Sequence, residues 1–428
     1  MPSAKNASIA EQDPFRVLIL GGAYGGLAAA LNLLDLCGGK AARFAPEADS
    51  SAVGPVTPVQ VTIVDERDGF YHLIGSPLTL ASKDYMQRFW RRFDEIPALQ
   101  TPAIRCIRGT PTSIDCQRKV ALVDNFGRAK NQQEIEYDFL VTATGLRRVW
   151  PVVPQSRTLV DYYSEAGAHV DAVRDAAGAA VIGGGAVGIE IAAELKLVLP
   201  DQKVTLIHSR DKLLSSEPLP DDFKDRTLEL LCMEGVEIIM GKRVMEMTAL
   251  DSDSNSSGSP RTKLKLSDGT ELLVGHVINA VSQSVPSTAF LPAEVLDPNG
   301  YVQIGTDLSF LPSVPNASAH FAVGDATSWS GIKRCGAAMH MGHFAAANIY
   351  QRMREARFGT PPSLMTFPIE VPPMIGLAVG KNAIAYSPAE GMSDGKKVLE
   401  AFFGNDLGFQ ICWKYLQLGK ESDTPWMN

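Results

Sequence analysis

The sequence predicts an α/β fold built from two similar strand–turn–helix units, and three observations carry that expectation. A glycine-rich turn occurs twice. It reads Val17-Leu18-Ile19-Leu20-Gly21-Gly22-Ala23-Tyr24-Gly25-Gly26-Leu27 near the N-terminus and Ala180-Val181-Ile182-Gly183-Gly184-Gly185-Ala186-Val187-Gly188-Ile189-Glu190 further on. Each copy joins an apolar strand to an Ala/Leu-rich helix, a geometry that aims backbone N–H groups and a helix N-terminus at a pyrophosphate. The chain has 428 residues, enough for roughly two to three domains. Of these, 45% are apolar and 21% charged, which supports a sizeable core. The reading is two Rossmann-like dinucleotide-binding domains, one for a flavin and one for a nicotinamide, with a small C-terminal α+β domain. The flavin domain is expected over residues 1–155 and 283–350, the nicotinamide domain over 156–282, and the last domain over 351–428.

The first unit opens with the strand Arg16–Leu20 and a helix from Leu27 to about Cys37, stopped at Gly38-Gly39. Residues 40–58 are rich in Ala, Ser, Pro and Gly and read as an inserted surface loop. The strand Val59–Val64 then ends at Asp65, where this kind of site supplies a carboxylate to ribose hydroxyls. That acid normally follows the glycines by ~20 residues. Asp65 lies 39 beyond Gly26, and the inserted loop accounts for the excess. A solvated strand-end aspartate is the plainer alternative. Read as G-x-G-x-x-G, the turn is Gly21, Ala23, Gly26, with Gly22 and Gly25 flanking; alanine stands where a glycine normally lets backbone and pyrophosphate approach.

The second motif is complete, with Gly183, Gly185 and Gly188. Counting 20 residues from Gly188 reaches His208 rather than an acid, followed by Ser209 and Arg210. A hydroxyl and a guanidinium suit a 2′-phosphate, so NADPH is expected ahead of NADH, unless Arg210 is consumed by pairing with Asp211. Ser267-Asp268-Gly269-Thr270 predicts a hairpin between Leu264–Leu266 and Leu272–Val274, and the serine-rich stretch 251–260 reads as a surface loop. Further on, His320–Ala322 reads as a short buried strand running into Val323-Gly324-Asp325-Ala326. There Asp325 is either a cofactor ligand or a turn cap.

Composition narrows the function. A net charge of −8 argues against nucleic acid as the main partner. The first fifteen residues resemble neither a secretory signal nor a transit peptide, and no run approaches ~18 apolar residues. Six scattered cysteines suit a reducing compartment, so a cytoplasmic location is expected.

Taken in order, these segments resemble the two-dinucleotide-binding flavoprotein superfamily. Within it the chain is most similar to the apoptosis-inducing-factor-like, mitochondrion-associated group, which includes the ferroptosis-suppressing quinone reductases. The resemblance spans about residues 14–415. It implies that Gly21 and Gly26 hold the FAD pyrophosphate, Asp65 its ribose and Asp325 the ribityl chain, with Thr144-Gly145 closing the FAD domain. It implies that Gly183, Gly185 and Gly188 hold the nicotinamide cofactor, with Glu190 near the nicotinamide. The helix containing His340 and His343 would line the flavin, and Pro372–Leu377 would begin the C-terminal domain. Val281-Ser282 departs from the family, whose strand usually ends in a glycine turn.

The activity so implied is hydride transfer from NADPH to flavin and on to a small acceptor, for which a quinone leads. No two cysteines stand where disulfide reductases of this fold keep theirs, so electrons are expected to leave the flavin directly. His72, His340 and His343 are candidate proton donors by their ordinary pKa; no metal site is expected. The run Leu407–Leu418 reads as a core element of the small domain, with peripheral membrane contact or a homodimer contact as alternatives. Two other functions stay open: a flavin-dependent oxidase or dehydrogenase tailoring one metabolite, and a non-enzymatic FAD-binding effector.

Overall fold

Val17 to Leu20 are apolar in succession, a pattern that suits a strand covered on both faces. A computed structural model describes residues 13–44, 54–126, 131–250, 261–281 and 283–427. In it Phe15–Leu20 (β1) lies inside a seven-stranded sheet, and these four residues are fully buried. Tyr24–Cys37 (α1) follows, starting three residues earlier than expected because Gly25 and Gly26 already belong to its first turn. Val59–Asp65 (β2) pairs parallel with β1, Phe15 opposite Val59 and Leu20 opposite Val64. Beyond β2 the sheet continues through Ile104–Asp115, Val120–Asn125 and Asn131–Glu136. On its other side Phe139–Thr142 and then His320–Ala322 add parallel strands. The first unit is thus assembled from two separated stretches of chain.

The second unit lies between them. Ala179–Ile182 (β3) leads through the second glycine turn into Ala186–Val198 (α2), and Val204–Ile207 (β4) and His276–Asn279 (β5) flank β3 in a parallel sheet. Beside it Val244–Leu250, Arg261–Leu266 and Glu271–Val274 form an antiparallel sheet. The expected hairpin forms there, with Leu264 opposite Leu272 and Gly269 at φ +87°. The expected loops at 40–58 and 251–260 lie partly or wholly outside the described residues, as does Ser282.

Cys335–Phe358 (α3) is a single helix, so the expected boundary between residues 350 and 351 falls inside it. Ile375–Val379 (β6), Asn382–Ser387 and Gly391–Gly395 then form an antiparallel sheet. The last α-helix, Phe409–Tyr415 (α4), buries Phe409 and Cys412, with Leu416 and Leu418 buried just beyond it. This segment belongs to the core of the first unit rather than to the small sheet: the Phe409 ring sits 5.4 Å from both His72 and Phe89.

Candidate functional site

The two glycine turns are near copies at atomic detail. Gly21 and Gly183 take φ of +102° and +115°, a region open to glycine. A Cβ on Gly26 would stand 1.8 Å from the Gly21 oxygen, and one on Gly188 1.8 Å from the Gly183 oxygen. Both turns therefore need glycine at their closing position. Ala23 sits at φ −104° and ψ −154°, and its counterpart Gly185 at φ −82° and ψ 178°. Both conformations are extended and open to any residue, so the alanine adds a methyl without backbone strain.

The strand ends complete the parallel. The Gly22 N–H donates to Asp65 Oδ2 at 2.7 Å, and the Arg67 N–H donates to Oδ1 at 2.8 Å. Burial pushes the Asp65 carboxyl up, against the Arg67 charge and these two hydrogen bonds. At the same point of the second unit the Gly184 N–H donates to His208 Nδ1 at 3.1 Å. That acceptor role puts the ring proton on Nε2, which faces the Lys212 carbonyl at 3.0 Å. Burial and the nearby Arg210 charge lower the His208 pKa, outweighing the Lys212 carbonyl, so the ring is neutral. Ser209 and Arg210 follow, both exposed and outside the lining of the cleft. Arg210 has no ion pair among the described residues, so Asp211 does not consume it.

One cleft of about 1260 Å³ joins the two turns. Gly21, Gly22, Ala23, Gly25 and Asp65 line one part, and Gly185, Gly188 and Glu190 another. Thr144, Gly145, Gly324 and Asp325 lie on its wall, while Gly26 and Gly183 sit behind it, shaping the turns. The donor set fits two dinucleotides. A Cβ on Gly145 or Gly185 would meet no atom within 4 Å, so backbone is open to the cleft at both places. The Asp325 carboxylate makes no hydrogen bond with the described residues; burial pushes its pKa up against the charges of Arg148 and Lys333. Thr144 has a structural partner instead, its hydroxyl donating to the Ser287 carbonyl at 2.7 Å.

Glu190 and Glu194 stand one turn apart on α2. Glu190 accepts from the Ala378 N–H of β6 at 3.2 Å, and burial raises its pKa to about 8. Burial, then Glu190, raises Glu194 to about 8 as well, and its Oε1 has no hydrogen-bond partner among the described residues. The sequence places Glu194 on the same helix as Glu190 without a role, and the structure buries it outside the cleft lining. Lys333 was missed. It lines the cleft, lies over the Trp329 ring at 4.6 Å and donates to the Thr327 carbonyl at 2.6 Å; burial lowers its pKa to about 8.

The histidine expectations require correction. His72 is fully buried outside the cleft lining, with Nδ1 3.1 Å from the Tyr24 hydroxyl and Nε2 3.0 Å from the Leu407 carbonyl. Burial takes its pKa down to about 4, so it holds no spare proton near neutrality. His340 and His343 also miss the cleft. His340 is exposed with its ring edge toward Tyr415 at 6.1 Å, and His343 is buried against Phe44. They occupy the face of α3 turned toward α4 and residue 44. The face toward the cleft carries Cys335, Gly336 and Ala338 instead.

Comparison with known proteins matches this architecture. The family model described as pyridine nucleotide-disulphide oxidoreductase matches residues 15–342. Oxidoreductase OXR1 of Ajellomyces capsulatus is 50% identical over 428 residues, covering 98% of this chain and 92% of that protein. Ferroptosis suppressor protein 1 of Mus musculus is 24% identical, covering 94% of this chain and 95% of that protein. Among solved structures, an engineered water-forming NADPH oxidase bound to NADPH has a TM-score of 0.57 at 18% identity, covering 86% of this chain and 74% of that one. The chain belongs to the pyridine nucleotide-disulphide oxidoreductase family and is an NAD(P)H-dependent flavoprotein oxidoreductase.

Proposed function

We propose that this enzyme takes electrons from NADPH through FAD to a small quinone-like acceptor. The observation that carries the reading is the single cleft reached by both glycine turns, with the Glu190 carboxyl at the second of them. Bound FAD supplies a two-electron carrier that accepts hydride from a nicotinamide and passes reducing equivalents onward.

The chain's own part is to bind, orient and keep water out. Gly21, Gly22, Gly25 and Gly26 present the first helix N-terminus to the FAD pyrophosphate, and Gly183, Gly185 and Gly188 do so for the nicotinamide dinucleotide. Asp65 has each oxygen engaged once, leaving lone pairs for ribose hydroxyls. Asp325 offers an unspent carboxylate to the polar chain of the flavin, beside Gly324, Thr144 and Gly145. Glu190, protonated near neutrality, holds a proton at its carboxyl where the α2 turn meets β6. Ile375, Leu377, Phe402 and Phe403 give the cleft an apolar wall suited to flat rings. A quinone acceptor is supported by the resemblance to quinone reductases and by the similarity to ferroptosis suppressor protein 1. Peripheral membrane contact and a homodimer remain proposals with no side chain assigned. Among the described residues no helix is long and apolar enough to cross a membrane.

Preference for NADPH is supported by the neutral His208, which bonds the turn without repelling a 2′-phosphate. Arg210, free of ion pairs among the described residues, and the Ser209 hydroxyl support it too. The engineered NADPH oxidase points the same way, since its changes to an NADH oxidase remove an aspartate and add two arginines. Arg210→Ala is expected to raise KM for NADPH by about tenfold to a hundredfold, the worth of a charge-assisted hydrogen bond, and to leave NADH nearly unchanged. His208→Asp keeps an acceptor for the Gly184 N–H, as Asp65 does for Gly22, and should turn preference toward NADH. Steady-state kinetics with both coenzymes decides the matter; equal losses for the two in Arg210→Ala would contradict the assignment.

A further inference from the structure

One charged side chain of the cleft has no part in the binding described above. Lys333 lines the cleft where the chain leads from the Gly324-Asp325 turn into α3. Three neutral groups hold its ammonium. It lies 4.6 Å from the centre of the Trp329 ring and 5.2 Å from that of Tyr301, and it donates to the Thr327 carbonyl at 2.6 Å. These partners are themselves fixed. Trp329 is buried, with its ring edge-to-face with Phe367 at 5.7 Å. A Cβ on Gly331 would stand 1.9 Å from the Trp329 ring, so glycine lets that ring fold back beside the chain. Thr327 is buried too, its hydroxyl donating to the Gly324 carbonyl at 2.7 Å. Among the described residues Lys333 makes no ion pair.

Rings and a carbonyl differ from a carboxylate in what they leave behind. They make the ammonium tolerable away from water without cancelling its net charge, so its field reaches into the cleft. Burial brings its pKa down to about 8, against Asp325 and Asp297, so the group is mostly charged at neutral pH. A fixed cation in a cofactor cleft acts on an anion. The FAD pyrophosphate has its own cradle at the Gly21–Gly26 turn. Asp325, which acts on Lys333, faces the polar chain that joins the pyrophosphate to the flavin ring. The part of the cofactor left for Lys333 is therefore the ring.

We propose that Lys333 is the fixed countercharge for reduced flavin, raising the midpoint potential of the bound cofactor by stabilising the charge its ring gains. The oxidised ring is neutral. Uptake of a hydride, two electrons and one proton, leaves it with one negative charge. Lys333 forms no bond and gives up no proton in this step; its ammonium is in place before the charge arrives. The inference rests on the flavin part of the reading above and is independent of the coenzyme and the acceptor.

The test is an anaerobic dithionite titration of the FAD-loaded protein against a redox dye of known potential, for wild type, Lys333→Met and Lys333→Arg. Methionine keeps much of the apolar stem and removes the charge. Lys333→Met is expected to move the flavin–dye equilibrium toward oxidised flavin by about tenfold, a midpoint potential lower by about 30 mV for a two-electron couple. Sulfite adds to oxidised flavin and leaves the ring with the same negative charge, so its affinity should fall by a similar factor. Lys333→Arg keeps the charge and should stay within about threefold of wild type in both readings. Lys333→Gln takes the place of the methionine variant if that protein fails to fold. A neutral variant with wild-type potential and sulfite affinity would overturn the proposal. An arginine variant that falls as far as the methionine one would overturn it too, because lost packing would then explain both. Weaker FAD binding at an unchanged potential would place Lys333 at the pyrophosphate, overturning the proposal and leaving the flavin reading intact.

Discussion

Asp65 and His208 occupy matching points at the ends of β2 and β4, and each accepts a hydrogen bond from the second glycine of its turn. One is a carboxylate facing the cleft and the other a neutral imidazole with both nitrogens engaged. That difference of one side chain is the basis for assigning the two dinucleotides differently. Glu190 and Glu194 make a second residue-scale point. Their native pKa values near 8 lie above the usual 4.5, so between these limits the native state binds protons that the unfolded chain has released. Stability must then fall as pH rises through that interval, by up to about 1.4 kcal/mol per pH unit for each carboxyl. Glu194→Gln is expected to flatten the slope of stability between pH 5 and 8, as read by urea unfolding at a series of pH values. A slope unchanged from wild type would show that Glu194 titrates normally. The sequence indicated Asp65 and Glu190 because their motifs are local. It misjudged His72 because the burial that keeps the ring neutral, against the hydrogen bond with the Leu407 carbonyl, comes from residues far along the chain.

At the scale of elements, the glycine turns were legible because a strand, a φ available to glycine and a close backbone crossing are all written within ten residues. The turn chemistry at Asp268-Gly269 was legible for the same reason. Gly26 and Gly185 separate the two demands on such a turn. Gly26→Ala would drive a methyl into the Gly21 carbonyl, so a cofactor-poor protein with a clearly lowered Tm is expected. Gly185→Ala meets no atom within 4 Å and copies the Ala23 arrangement. It should leave Tm nearly unchanged while weakening binding of the nicotinamide dinucleotide. Thermal unfolding alongside the flavin absorbance ratio compares them; equal loss of Tm in both would contradict this division. The placing of α3 was less legible. The resemblance placed this helix beside the flavin, but it is Cys335, Gly336 and Ala338 that face the cleft, while His343 is buried against Phe44 and His340 is exposed.

For the whole molecule, sequence order disclosed that a strand near residue 320 returns to the first unit, since the Gly-Asp turn follows two dinucleotide units. It did not disclose that the last helix returns there too. Leu407–Leu418 has the apolar content of a core element, but content cannot say which core it joins. The long reach of α4 to His72 and Phe89 depends on chain reversals through the small sheet. The central claim is that one cleft holds a flavin that a nicotinamide dinucleotide can reduce, with NADPH preferred. Anaerobic stopped-flow mixing of the purified holoprotein with NADPH, and in parallel with NADH, tests it most directly at the visible flavin band. Both coenzymes are expected to bleach the band, NADPH at the lower concentration. A band that neither coenzyme bleaches would contradict the claim.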